Sequence, residues 1–162
     1  MPIVLGIDPG LASTGYGVIR AEAGRFQWVD HGVFRTTAGD PPGTRLAVIY
    51  RGICELVERH RPVIAGIESL YFTKNVTSAI PVAQARGVVL LALEQYGVPA
   101  EEFTPQAIKQ AVVGTGQADK EQVIQMVRII LGLSEAPRPD HAADALAAAV
   151  TRFNTSEVAG VQ

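Results

Sequence analysis

The stretch Val4-Leu5-Gly6-Ile7-Asp8-Pro9-Gly10, continuing through Ser13-Thr14-Gly15-Tyr16-Gly17-Val18-Ile19, decides the fold. Ile3 to Ile7 are apolar without alternation, as in a strand buried on both faces, and the run stops at Asp8 before the breaker pair Pro9-Gly10. A carboxylate there stands at the mouth of a sheet. The glycines that follow, with Ser13 and Thr14, admit close approach of another backbone or of a polyanionic ligand.

Working outward, Gly15–Ala21 and Arg25–Arg35 are β-rich runs joined at Glu22-Ala23-Gly24, which predicts a hairpin and, with the first strand, an antiparallel meander. Thr44 is the expected cap of a helix to about His60, whose Leu46, Ile49, Ile53, Leu56 and Val57 form one apolar stripe. Val63 to Glu68 repeats the opening theme, and after a helix it is predicted to be a parallel strand beside the first. Asn75 to Gln95 is helical and apolar nearly all round, as expected for a helix with one face on the sheet and part of the other against a second subunit. Val98–Phe103 reads as the last strand, and Thr104-Pro105 starts a helix that Gly114-Thr115-Gly116 breaks. Asp119–Leu131 and Asp140 to about Thr151 supply two more helices. The expected class is α/β: a mixed five-stranded sheet, three antiparallel strands then two parallel, flanked by helices. Residues 154–162 have little to bury and are expected to form a disordered tail, leaving 1–153 as a single domain.

Composition narrows the function by exclusion. A net charge of −2 gives no global attraction for nucleic acid, so any such surface is a local patch. No apolar run approaches membrane-spanning length, and no basic segment precedes a hydrophobic one, so the expected location is cytoplasmic. The single cysteine, Cys54, lies in the first helical stripe with no histidine near it, and is expected to be a buried, reduced thiol.

Three acidic positions then stand out: Asp8 and Glu68 at two strand ends, and Asp140-His141-Ala142-Ala143-Asp144 at the start of a helix. Neighbouring strands are about 4.8 Å apart, so carboxylates at their ends share one cation readily. Taken singly, Asp8 is an ordinary turn residue, Glu68 a surface charge and Asp140 a helix cap; their coincidence at strand, strand and helix ends points to a metal centre. Oxygen-rich clusters hold hard divalent ions, and a pair of them about 3.5–4 Å apart suits phosphodiester hydrolysis.

Several segments together carry a resemblance: Gly6-Ile7-Asp8-Pro9-Gly10 with Thr14-Gly15-Tyr16-Gly17, Ile67-Glu68, Gln84-Ala85-Arg86-Gly87, Val112-Val113-Gly114-Thr115-Gly116 with Lys120, and His141-Ala142-Ala143-Asp144-Ala145-Leu146. The chain resembles the RuvC-type bacterial Holliday-junction resolvases over essentially its whole length. That resemblance implies a ribonuclease H-like fold, a homodimer, two divalent cations per subunit (Mg²⁺ or Mn²⁺), and symmetric paired nicks in a four-way DNA junction during recombination and repair. It also implies a branch-migration complex of RuvA and RuvB type as partner. Carried over by position, the catalytic and metal-binding residues fall on Asp8, Glu68, His141 and Asp144. The family's pattern has aspartate where this chain has His141, with Asp140 just before it as the alternative ligand. Tyr71 falls on the family's stacking aromatic, with Phe72 adjacent. Lys109 and Lys120 match basic residues near the scissile phosphate, and Lys74 and Arg86 extend a positive rim.

Two other readings compete. Actin-like and sugar-kinase ATPases also place a Gly-Ile-Asp strand before a Gly/Thr-rich turn, but they need two such lobes, and 162 residues supply one. A junction-binding protein with weak or absent nuclease activity is the other, motivated by His141.

Overall fold

The computed structural model describes residues 1–69 and 76–160. In chain order the elements are β1 (Ile3–Asp8), β2 (Ser13–Glu22), β3 (Arg25–Arg35), α1 (Pro42–His60), β4 (Ile64–Glu68), α2 (Val76–Gln95), β5 (Ala100–Phe103), α3 (Pro105–Val112), α4 (Lys120–Ile130) and α5 (Asp140–Gly160). The strands form one five-stranded sheet in the order β3-β2-β1-β4-β5. β1, β2 and β3 are antiparallel, while β4 pairs parallel with β1 and β5 parallel with β4. This is the predicted mixed sheet.

The pleat sorts side chains to two cores. Val4, Ile19 and Ala21 pack with Ile108, Val123, Val127 and Leu146, on the face that carries α3, α4 and α5. Leu5, Ile7, Val18 and Ile67 pack with Ile49, Ile53, Val89 and Leu93, on the face that carries α1 and α2.

The contact between α5 and the sheet is made of small residues on both sides. Ala142, Ala143, Ala145, Ala147, Ala148 and Ala149 are all fully buried. Beneath them, a methyl group added at Gly6 would overlap the Ala145 carbonyl, and one at Gly15 would overlap the His141 carbonyl. At Gly66 the same methyl would stand 2.5 Å from the Ala148 oxygen. The sheet glycines therefore admit a second backbone, that of α5.

Some local expectations are corrected. α1 begins at Pro42 with Pro41 at its N-cap, and no side-chain capping bond forms, so Thr44 lies inside the helix. Proline in the first turn explains the start, because its fixed φ suits a helix and its missing N–H would have been unpaired there anyway. The last helix does not stop near Thr151 but runs on to Gly160. Extending a helix that is already anchored adds one bond per residue fixed. Phe153 is buried, and the hydroxyls of Thr155 and Ser156 donate to the carbonyls of Thr151 and Phe153 at 2.9 and 2.8 Å. Cys54 is only half-buried, at the edge of the core under α1.

α2 buries Ala85, Val89, Ala92 and Leu93 but leaves Ile80 and Leu91 more than half exposed. Among the described residues, no helix is long and apolar enough to cross a membrane.

Gly6→Ala is expected to destabilise the protein by about 3 kcal/mol or more, since overpacking against backbone has no soft partner to yield. At this chain size that corresponds to a Tm lower by roughly 10 °C in a thermal melt. Gly39→Ala, where an added methyl meets nothing within 4 Å, is the control and should leave Tm nearly unchanged.

Candidate active site

The same pleat that turns the glycines toward α5 builds the site. Gly6 and Gly66 are register partners on β1 and β4, as are Ile7 and Ile67. One residue further, Asp8 and Glu68 end their strands side by side, each two positions beyond a glycine and so on the α5 face. Asp8 is almost wholly buried. The turn after it is closed by Thr14, whose fully buried hydroxyl donates to the Gly10 carbonyl at 2.7 Å and accepts from the Gly10 N–H at 3.2 Å. A buried threonine four residues beyond the turn glycine was the signal for this closure, and the sequence reading used it only as part of a motif.

α5 brings the remaining groups. His141 Nδ1 lies 2.8 Å from Asp8 Oδ2. One ligand atom from each of Asp8, His141 and Asp144 falls within 4.8 Å of the others. Asp140, the alternative to His141, points elsewhere: Arg138 Nη1 holds it at 2.8 Å and Lys120 Nζ lies 3.7 Å away. Lys120 also stands 3.4 Å from Asp144. Asp8, Glu68, His141, Asp144, Lys109 and Lys120 all line one cleft of about 400 Å³, with Val82, Pro105, Ile108 and Val123 as its apolar wall.

The electrostatics of the cleft are those of carboxylates short of positive charge. Burial pushes Glu68 up to about 8, with repulsion from Asp8 and Asp144 adding to it and only Lys120 opposing. Burial and Asp8 likewise raise Asp144 above the ordinary carboxylate range, against Lys120 and His141. His141 is held above the usual imidazole range by its hydrogen bond to Asp8, with burial opposing. For Lys120, burial pulls down, but Asp144, Asp140 and Asp8 outweigh it and raise the ammonium. The crowding thus favours bound positive charge, and the donor set of carboxylate oxygens and one imidazole suits a divalent cation.

Not every predicted site residue joins this group. Arg86 forms a paired contact with Glu102 on β5, away from the cleft lining, and this pairing lowers the Glu102 carboxyl. Tyr71, Phe72 and Lys74 lie outside the described residues. Arg138, in the loop before α5, carries no part in the sequence-based expectations and pairs with Asp140 at 2.8 Å and with Glu121 at 3.7 Å.

A sequence model of the family described as crossover junction endodeoxyribonuclease RuvC matches residues 4–152. The chain belongs to the RuvC family. A RuvC of Treponema denticola is 54% identical over 161 residues, covering 99% of this chain and 90% of that one. The RuvC of Moorella thermoacetica is 50% identical over 165 residues, covering 98% and 99%. Among solved structures, Thermus thermophilus RuvC in complex with Holliday junction substrate superposes with a TM-score of 0.94 at 38% identity, over 98% of this chain and 97% of that one. The ribonuclease H-like architecture of the family is thus the architecture of this chain, with the sheet order expected from the sequence.

All three raised groups, Glu68, Asp144 and His141, bind protons more tightly folded than unfolded, so they add stability at low pH and lose it as pH rises. In chelator, Tm is expected to fall between the ordinary glutamate range and about pH 8, and Glu68→Gln should flatten that slope and raise Tm at the alkaline end. Added Mn²⁺ should raise the wild-type Tm more at pH 8 than at pH 6, because the cation displaces protons. Calorimetry with and without chelator across this range reads all three effects.

Proposed function

We propose that this RuvC-family chain resolves four-way DNA junctions by paired nicks, with Asp8, Glu68, His141 and Asp144 holding two divalent cations and Lys109 and Lys120 facing the scissile phosphate. The observation that carries this reading is the convergence of carboxylates from two strand ends with an imidazole and a carboxylate from α5, in a cleft with two lysines on its wall.

When bound, Mg²⁺ or Mn²⁺ supplies Lewis-acid polarisation of the phosphate and makes water a better nucleophile at neutral pH. The protein's own groups do the positioning. Asp8, buried on a strand end, cannot swing away, and the hydrogen bond from His141 fixes the ring against it. Lys120 sits half-exposed beside Asp144, close enough to share its charge with an incoming phosphate. Water adds to phosphorus, the bond to the 3′ oxygen breaks and that oxygen takes a proton, leaving 5′-phosphate and 3′-hydroxyl ends. Paired cuts follow from a two-fold homodimer, which presents identical sites to opposed strands of a two-fold substrate; the exposed Ile80 and Leu91 of α2 suit its interface. By the family resemblance, Tyr71, Phe72 and Lys74 touch the junction, RuvA- and RuvB-type proteins dock on the complex, and the protein works in the cytoplasm. Arg86 has no part in this reading, because Glu102 already matches its charge.

The test incubates the protein with a synthetic four-way junction or a matched duplex, in Mg²⁺, Mn²⁺ or chelator. Symmetric nicks are expected only in the junction and only with metal. Asp8→Asn should lower nicking by roughly a thousandfold, about 4 kcal/mol of transition-state stabilisation, while junction affinity stays within about threefold. Wild-type binding without metal-dependent nicking would instead establish a purely binding protein. With an imidazole among its ligands, the enzyme should work at least as well in Mn²⁺ as in Mg²⁺, and His141→Asp should shift the preference toward Mg²⁺.

A further inference from the structure

Arg45, near the start of α1, is a fixed cation that the site described above does not use. Its Nε donates to Thr36 Oγ1 at 2.9 Å, and that hydroxyl donates to the Leu11 carbonyl at 2.6 Å. The Thr36 N–H also donates to the Ala12 carbonyl at 3.1 Å, so the guanidinium is tied to the loop that follows Asp8. Arg86, Arg138 and Arg152 each meet a carboxylate. Among the described residues Arg45 meets none, and the rest of its fork is open to an anion from outside the chain.

Where that anion would come from is set by the hollow in which Arg45 lies. This hollow, about 370 Å³, has Ser13, Pro81 and Val82 on its walls. It meets the catalytic cleft along Gly10, Val82 and His141, which line both. Lys109 and Lys120 line one hollow, Arg45 lines the other, and His141 lines both.

We propose that Arg45 grips a backbone phosphate flanking the one that is cut, as a positioning residue for the DNA strand. This rests on the nuclease reading of the cleft and deepens it. A guanidinium whose Nε is already committed keeps two amino groups for the paired hydrogen bonds that phosphate oxygens accept, and its tether removes rotamers before binding. With lysines on one side of the scissile phosphate and Arg45 on the other, the strand is held at two points and the phosphorus between them cannot slide along the cleft.

The experiment compares wild-type, Arg45→Gln and Arg45→Lys proteins. Junction binding is titrated with salt in chelator, and single methylphosphonate linkages are placed in turn around the cleavage position. Arg45→Gln should weaken binding about three- to tenfold and reduce the slope of log affinity against log salt by about 0.9, the loss of one phosphate contact. Arg45→Lys should restore the slope but not the full affinity. One flanking methylphosphonate should weaken wild-type binding and leave Arg45→Gln indifferent. An unchanged salt slope in Arg45→Gln, even with a lower Tm, or identical methylphosphonate profiles in the two proteins, would overturn the proposal. Nicking by the wild-type protein, run in parallel, separates the two readings. Its absence sinks the nuclease reading and this inference together, whereas normal nicking with an indifferent Arg45→Gln sinks only this inference.

Discussion

The backbone of α5 lies directly on the backbone of the sheet, and the active site exists because it can. Glycine on β1, β2 and β4 faces the α5 backbone, opposite alanine on β1 and β4, so the helix comes down to a height that larger residues in the sheet would forbid. His141 sits over Gly15, and Ala145 over Gly6, which puts Asp144 beside the strand that ends in Asp8. Small residues bury little apolar area each, so the contact needs support from its edges. Leu146, Val150 and Phe153 supply it, together with Ile108, Val123 and Val127 from α3 and α4. The helix is thus held down by its flanks and levelled by its centre.

What this arrangement brings together is electrostatically unfavourable by itself. Three carboxylates, Asp8 buried and Glu68 and Asp144 half-buried, share one corner, and the cations beside it are Lys120 and, when protonated, His141. Arg138 pairs with Asp140 instead. The remaining imbalance shows as the upward shifts of Glu68 and Asp144, and a divalent ion relieves it more completely than a proton does.

Much of this was legible in the sequence, for identifiable reasons. Strand ends at Asp8 and Glu68 announced themselves because an apolar run cannot continue through a carboxylate followed by a turn. The helix start at Thr104-Pro105 was legible because the Thr104 side chain can accept the Ala107 N–H, as it does; Asp119, expected only as the start of its helix, caps it by accepting the Gln122 N–H. Other features depend on tertiary contact and left weaker traces. Nothing in the residues from Asn154 onward says that their helix is anchored by Phe153, and the start of α1 turned on two prolines where a hydroxyl looked the better cap. Spacing alone leaves Asp140 and His141 as alternatives; in the fold His141 lies against Asp8, while Asp140 pairs with Arg138. One signal was present and unused: Gly6-Ile7-Asp8 and Gly66-Ile67-Glu68 repeat the same period-two pattern, which places glycine and carboxylate on one face of two paired strands.

The crowding of charge also bears on whether the site is a working one. In a protein that only bound DNA, Asp8, Glu68 and Asp144 would be a burden: neutral amides of the same shape would remove the repulsion, and Lys120 and Lys109 would then present more net positive charge to phosphate. A carboxylate cluster that costs stability by its own repulsion and weakens attraction to a polyanion makes physical sense when a cation completes it. His141 does not weaken this conclusion. Its imidazole is pinned to Asp8 through Nδ1, and neutral imidazole is a metal ligand in its own right once the proton leaves. Substituting it for a carboxylate lowers the negative charge of the site by one while keeping a donor in place, which changes the choice of cation more than the need for one.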